Sequence, residues 1–286
     1  MLPTSPYRLP DPSLEALLGE DTPAGDATTF ALGIGDAPGV LEYRARGPMT
    51  LCGSEEAARM GQLRELTAVG PVVASGSVLE PGQLILRLEG RAADLHAVWK
   101  TSQTLMESLS GIASATAAIV AATRQGNPSA AVACTRKNFP GTKAAAIKAI
   151  LCGGAAPHRL SLSETLLVFA EHRAFLDEPP AATVARLRRS WPERRIVIEV
   201  SDEAEAVLWL EAGIDVLQLE KLPVEAVARI VAIATRMPRP PLIAAAGGVN
   251  ASNAEDFARA GAGVLVTSSP YFAPPRDVAV TLRPAR

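Results

Sequence analysis

Six short apolar runs, each separated from the next by a segment with helical spacing, fill the chain from residue 131 onward and restrict its fold more than any other feature. The runs are Ala131 to Thr135, Leu166 to Phe169, Ile196 to Val200, Val216 to Leu219, Leu242 to Ala246 and Val264 to Thr267. Helical segments fall at Thr142 to Leu151, Ala181 to Ser190, Ser201 to Ala212, Val224 to Thr235 and Ala254 to Ala260. Repeated strand–helix units imply a parallel sheet with helical cover. Glycine-rich strand ends favour closure into an α/β barrel over an open sheet, here with six strands instead of the usual eight.

Upstream the pattern is different. Ser13 to Leu18 fits a short helix, and the polar, turn-rich stretch Gly19 to Thr29 reads as a loop. From Leu41 to Gly90 short β-rich runs alternate with turns: Met49 to Cys52, Val72 to Val78, and Gln83 to Glu89 behind the Pro81-Gly82 turn signal. A small open sheet is expected there. Ala92 to Ala122 carries apolar and small residues at helical spacing without proline, which predicts one long helix or two consecutive ones at the junction between domains.

Composition narrows the function classes. Hydrophobic residues make up 48% of the 286 and aromatics only 4%, so the core must be built from Ala, Val, Leu and Ile. A formal charge of -2 argues against a nucleic-acid or anionic-membrane partner, so any anion site must be local. Three cysteines without metal-type spacing (Cys52, Cys134 and Cys152) fit a reduced cytosolic protein without disulfides. The first residues lack a basic start followed by an apolar run, and no uninterrupted apolar stretch approaches membrane length; a cytoplasmic location is expected.

In a parallel barrel the reactive groups sit at the carboxyl ends of the strands. Those ends are charged here. Strand one runs into Thr135-Arg136-Lys137, and the following helix leads to Gly153-Gly154 and His158-Arg159. The third strand holds Glu199, and the fourth ends at Glu220-Lys221. Gly247-Gly248 after the fifth strand lets backbone N–H groups approach an anion, and the helix start at Ser252 or Asn253 adds its positive dipole end. With Thr267-Ser268-Ser269 on the next strand this suggests a phosphate cradle; plain loop punctuation is the competing account. Arg136, Lys137 and Arg159 read as an anion-binding set or as a solvated basic surface. Glu199 and Glu220 read as a pair converging on Mg²⁺ or on ribose hydroxyls, or as members of structural ion pairs. His158 alone reads most simply as a satisfied loop histidine.

Taken in order, these segments resemble a known family. Glu20-Asp21 with Gly25-Asp26-Ala27-Thr28-Thr29, Leu109-Ser110-Gly111-Ile112-Ala113, Thr135-Arg136-Lys137, Cys152-Gly153-Gly154 with His158-Arg159-Leu160, Ile198-Glu199-Val200 and Gly247-Gly248-Val249-Asn250 are similar to motifs of the quinolinate (nicotinate-nucleotide pyrophosphorylase) phosphoribosyltransferases. Within that family the chain resembles the ModD branch, associated with molybdate-transport genes. The resemblance implies an amino-terminal mixed α/β sandwich over 1–108, joined by the tail 271–286, and an incomplete six-stranded α/β barrel over 109–270. It also implies phosphoribosyl pyrophosphate with Mg²⁺, a small acidic acceptor, and a homodimer or higher oligomer with shared sites.

Carried over by position, Lys100, Arg136, His158 and Arg159 would bind the acceptor, and Lys137 would contact the substrates. Glu199 and Glu220 would hold ribose and metal, while Gly247, Gly248 and Ser268 would hold the 5-phosphate. Lys100 stands where an Arg is usual, Phe169 where a Lys is usual, Cys134 where an Asp is usual, Glu220 for an Asp and Ser268 for a Gly. Acceptor recognition is therefore the part expected to differ. Two other readings remain open: a sugar-phosphate lyase or isomerase with Lys137 as its reactive lysine, and a non-catalytic binder of phosphate or of an oxyanion such as molybdate.

Overall fold

The computed structural model describes residues 7–285. In chain order the first elements are α1 (Asp11–Asp21), α2 (Ala27–Leu32), β1 (Pro38–Ala45), β2 (Met49–Thr50), α3 (Ser54–Leu63), β3 (Thr67–Ala68), β4 (Val78–Leu79), β5 (Leu84–Arg91) and α4 (Ala92–Gly126). There follow β6 (Ala131–Cys134), α5 (Lys143–Cys152), β7 (Ala156–Pro157), β8 (Leu166–Val168), α6 (Ala170–Arg173), α7 (Pro180–Ser190), β9 (Ile196–Val200) and α8 (Glu203–Glu211). The last are β10 (Val216–Glu220), α9 (Val224–Ala234), β11 (Leu242–Ala246), α10 (Ala254–Arg259), β12 (Val264–Thr267) and β13 (Val278–Pro284). They form two compact units.

One unit comprises the described residues of Met1–Ala117, Phe139–Gly153 and Pro270–Arg286. Its antiparallel sheet runs β13-β1-β5-β3, so the end of the chain supplies an edge strand to the amino-terminal sheet. Leu41, Tyr43, Leu86, Leu88, Leu95 and Met106 are buried together in its core. The Tyr43 hydroxyl meets the Ser102 hydroxyl at 2.6 Å, which satisfies both in that apolar setting.

Several local expectations fail here for definable reasons. Part of the expected loop Gly19 to Thr29 is helical, because Asp26 caps α2: its carboxylate accepts from the Thr28 N–H at 2.9 Å and from the Thr29 hydroxyl at 2.6 Å. The helix expected at Ser13 to Leu18 extends to Asp11–Asp21. Val72 to Val78 is not a strand; Pro71 has no N–H to give a ladder, and only Val78–Leu79 pairs, with β2. Helix α3 was not anticipated. Its polar outer face hides the regular spacing, while Ala57, Ala58 and Met60 are buried.

The other unit comprises Ala118–Asn138 and Gly154–Ser269. It is an α/β unit around a parallel sheet of order β7-β6-β12-β11-β10-β9-β8. The six expected strands are present, and the two-residue β7 adds a seventh against β6. Among the described residues no pairing joins β7 to β8, so the barrel is incomplete. Leu167, Val197, Val216, Ala244, Ala246 and Val266 cluster on one face of the sheet. Because strand side chains alternate, Glu199, Gln218, Glu220 and Ser268 share that face with them, toward the carboxyl ends.

Helix α4 is a single helix of 35 residues, not two. By length and composition it could cross a membrane, yet its apolar residues have other uses. Leu95, Val98 and Met106 belong to the core of the first unit. At its far end, a Cβ at Gly126 would collide with the Glu255 carbonyl oxygen and crowd Ala258, so glycine permits close packing on α10.

Candidate active site

The candidate site lies at the carboxyl ends of the barrel strands, where parallel register brings the strand-end residues level. Gln218 pairs with Glu199 and Glu220 with Ala246. Val266 also pairs with Ala246, so Ser268 projects from the strand beside the glycine turn. At the other side, the His158 N–H donates to the Cys134 carbonyl at 2.8 Å and extends the β6–β7 pairing by one residue. The turn after β6 is held by the Lys137 N–H donating to Thr135 Oγ1 at 3.2 Å, leaving Arg136 and Lys137 exposed.

Charge links these positions. Burial pushes the Glu199 carboxyl above its ordinary range; the Gln218 amide opposes this, Glu220 and Glu171 add to it, and Lys137 offsets part. Burial and then neighbouring Arg136 lower Arg159, while Glu199 supports its charge. Burial, reinforced by Arg159, lowers His158, which favours neutral imidazole near pH 7. Like charges held this close on a barrel rim are what a ligand carrying both signs of partner would relieve.

The glycine turn comes close to Glu220 and Lys221 at the end of β10. Gly247 has φ +81°, and a Cβ there would lie 2.5 Å from Lys221 Cγ and 2.8 Å from Glu220 Oε1. Only glycine allows that approach. Gly248, at φ +87°, faces open space, so its backbone can receive a ligand. Asn250 and Asn253 amides both donate to the Gly248 carbonyl, at 3.0 and 3.1 Å, and Thr267 Oγ1 donates to the Val249 carbonyl at 2.6 Å. Asn253 is the N-cap of the six-residue α10, at the helix start expected from the sequence. The groups this turn offers are its own N–H groups and the neighbouring strand-end hydroxyls.

The structure thus brings Arg136, Lys137, His158, Arg159, Glu199, Glu220, Gly247, Gly248 and Ser268 to one end of one sheet. Lys100 belongs to the other unit, where it is exposed, 4.4 Å over the Trp99 ring and 3.4 Å from Gln103 Oε1. Among the described residues no group of three or more His, Cys, Asp or Glu is arranged to hold a metal. A pair of carboxylates suits Mg²⁺, which keeps several waters and takes its remaining ligands from substrate phosphates.

Sequence reading missed Gln218, Arg173 and His172. Gln218 Nε2 donates to Glu199 Oε2 at 2.5 Å. Arg173 donates to the Glu199 carbonyl at 2.7 Å and to Glu205 at 2.6 Å, fixing the end of β9. Phe169 stacks on His172 with centroids 5.7 Å apart, and Arg159 lies 5.4 Å over its ring. A glutamine inside the apolar run Val216-Leu217-Gln218-Leu219 was the one available signal.

Residues 112–281 match the family described as "Quinolinate phosphoribosyl transferase, C-terminal domain", and residues 26–110 match its N-terminal domain. The chain belongs to the quinolinate phosphoribosyl transferase family. This family member is 48% identical over 256 residues to the Rhodobacter capsulatus protein named "Putative pyrophosphorylase ModD", covering 89% of this chain and 98% of that one. It is 28% identical over 243 residues to an Archaeoglobus fulgidus protein named "Probable nicotinate-nucleotide pyrophosphorylase [carboxylating]", covering 82% and 89%. Its fold is that of a crystallised NadC deletion mutant, with a TM-score of 0.90 at 24% identity over all of both chains. Membership accounts for the sandwich-plus-barrel architecture; the roles of individual residues rest on their own chemistry.

Proposed function

We propose that the protein transfers phosphoribose from phosphoribosyl pyrophosphate to a nitrogen of a small acidic heterocycle, releasing pyrophosphate. The observation that carries this reading is the segregation of charge on one barrel rim: cations from the loops after β6 and β7, acids from β9 and β10, and an open glycine turn beside them. Such a site suits a donor that is anionic at both phosphate ends and becomes cationic at ribose C1. As the C1–O bond to pyrophosphate breaks and the nitrogen–C1 bond forms, Glu199 and Glu220 stabilise the positive sugar. Lys137, Arg136 and Arg159 stabilise the departing phosphates. Gly247, Gly248 and Ser268 seat the 5-phosphate.

Glu199 and Glu220 are the residues that would hold Mg²⁺, whose contribution is to neutralise pyrophosphate oxygens. The acceptor lies against Arg136, His158 and Arg159. Phe169 offers a neutral ring beside them, so this end favours an aromatic acceptor with fewer negative charges than a dicarboxylate. Lys100, exposed on the other unit, is assigned to the site of a second copy in a homodimer. The test is pyrophosphate release from phosphoribosyl pyrophosphate across pyridine mono- and dicarboxylates, with Arg136→Ala as control. Turnover with one acceptor, abolished in Arg136→Ala, supports the reading; no release with any acceptor refutes it.

A further inference from the structure

The inner face of β10 holds a polar side chain that the strands beside it satisfy only in part. Gln218 is 3% exposed, and its Nε2 donates to Glu199 Oε2 on β9. An ionised carboxylate only accepts, so this bond fixes the amide with its nitrogen toward Glu199 and its oxygen away. The oxygen, Oε1, is buried without a hydrogen-bond partner among the described residues. Its surroundings explain why. On β11 the register partner of Gln218 is Ala244, and along β10 the residues on the same face are Val216 and Glu220. A methyl, an isopropyl group and a carboxylate offer that oxygen no proton. Leaving a buried carbonyl oxygen unpaired is costly, and the cost disappears when a donor arrives.

Among the groups a phosphoribosyl substrate brings to this rim, the donors are the ribose hydroxyls; its phosphates are acceptors like the acids. We infer that Gln218 reads a ribose hydroxyl: its nitrogen holds Glu199 in place, and its oxygen accepts the hydroxyl proton that Glu199 does not take. This rests on the phosphoribosyl reading above, and it assigns ribose specificity to a residue outside the charged set. Gln218 and Glu199 then act as a two-part clamp, a neutral acceptor beside an anionic one.

The test is calorimetric binding of ribose 5-phosphate and of its 2-deoxy and 3-deoxy forms to the full chain with Mg²⁺, compared between wild type and Gln218→Met. Met preserves volume and apolar packing while removing both polar atoms. Wild type is expected to bind ribose 5-phosphate about tenfold tighter than one of the deoxy forms, the worth of roughly one hydrogen bond. Gln218→Met should bring that preference to within about twofold. Gln218→Asn, which retracts the amide by one methylene, should show the same loss and serves if the Met variant does not fold. Unchanged discrimination in a folded variant overturns the assignment of Gln218 alone. No binding of ribose 5-phosphate or phosphoribosyl pyrophosphate by wild type overturns it together with the phosphoribosyl reading.

Discussion

Replacing Lys148 with methionine tests the largest electrostatic commitment in the sandwich unit. Lys148 on α5 is 1% exposed and pairs with Glu55 at 2.9 Å and, more closely, with Glu56. Glu56 is itself almost fully buried, and it also accepts from the Leu9 N–H at 3.3 Å. Burial would push Lys148 toward neutrality, but the two carboxylates outweigh it and keep the ammonium charged. Met fills the same space, so little of the loss would come from a cavity. What remains is two carboxylates without their cation, a situation that costs about 3–5 kcal/mol. Urea unfolding at pH 7 should show that loss, and the triple variant Lys148→Met, Glu55→Gln, Glu56→Gln should recover more than half.

The pH dependence has a defined sign. Burial raises the Glu55 carboxyl, but hydrogen bonds from Ser75 and Lys148 bring it down to about 2. A depressed folded-state pKa stabilises above the unfolded value and is lost as pH falls toward the folded one. The gap between wild type and Lys148→Met should therefore narrow between pH 7 and pH 3, as the orphaned carboxylates take up protons. A loss under about 1 kcal/mol at pH 7, or a triple variant no better than the single one, would refute the argument.

The remaining predictions concern the rim and the thiols. Phosphoribosyl pyrophosphate affinity, followed by calorimetry, should fall as pH drops through a range above the usual glutamate value, because burial raises Glu199 and its anion is the form that binds; a midpoint at or below the ordinary value would contradict this. Gly247→Ala should weaken that binding at least tenfold, because the added Cβ meets Glu220 and Lys221 and φ is +81°; unchanged affinity would show that Glu220 is not needed where it stands. In brief iodoacetamide labelling read by mass spectrometry, Cys152 should react first. A hydrogen bond with Cys52 lowers Cys152, whereas that same bond and then burial raise Cys52, and burial pushes Cys134 up to about 12. Preferential labelling of Cys134 would contradict the assignment.

The barrel strands were legible because each carries its own signal. Leu242–Ala246 is uniformly apolar and Ile196–Val200 is apolar apart from Glu199, and the limits of both in the structure agree with the sequence reading. Ala156–Pro157 has no such signal: two residues, one of them proline, become a strand only because β6 presents an unpaired edge. The sandwich was less legible for a related reason. In β1, charged Glu42 and Arg44 interrupt the apolar positions, and its second partner, β13, lies more than two hundred residues away in the chain. Nothing local announces that pairing.

At the rim, what could be read was charge, and what could not was orientation. Arg136, Glu199 and Glu220 stand out because an ionised residue ending an apolar strand must find water or a ligand. Gln218 stands between Leu217 and Leu219, and in a strand apolar at every neighbouring position the sequence does not say which residues face inward. That parity comes only from the sheet, where Val197, Val216 and Ala244 cluster on one face and Gln218 is register-paired with Glu199. On the proposed reading the acids mark where the chemistry sits, and the neutral amide beside them selects the hydroxyl.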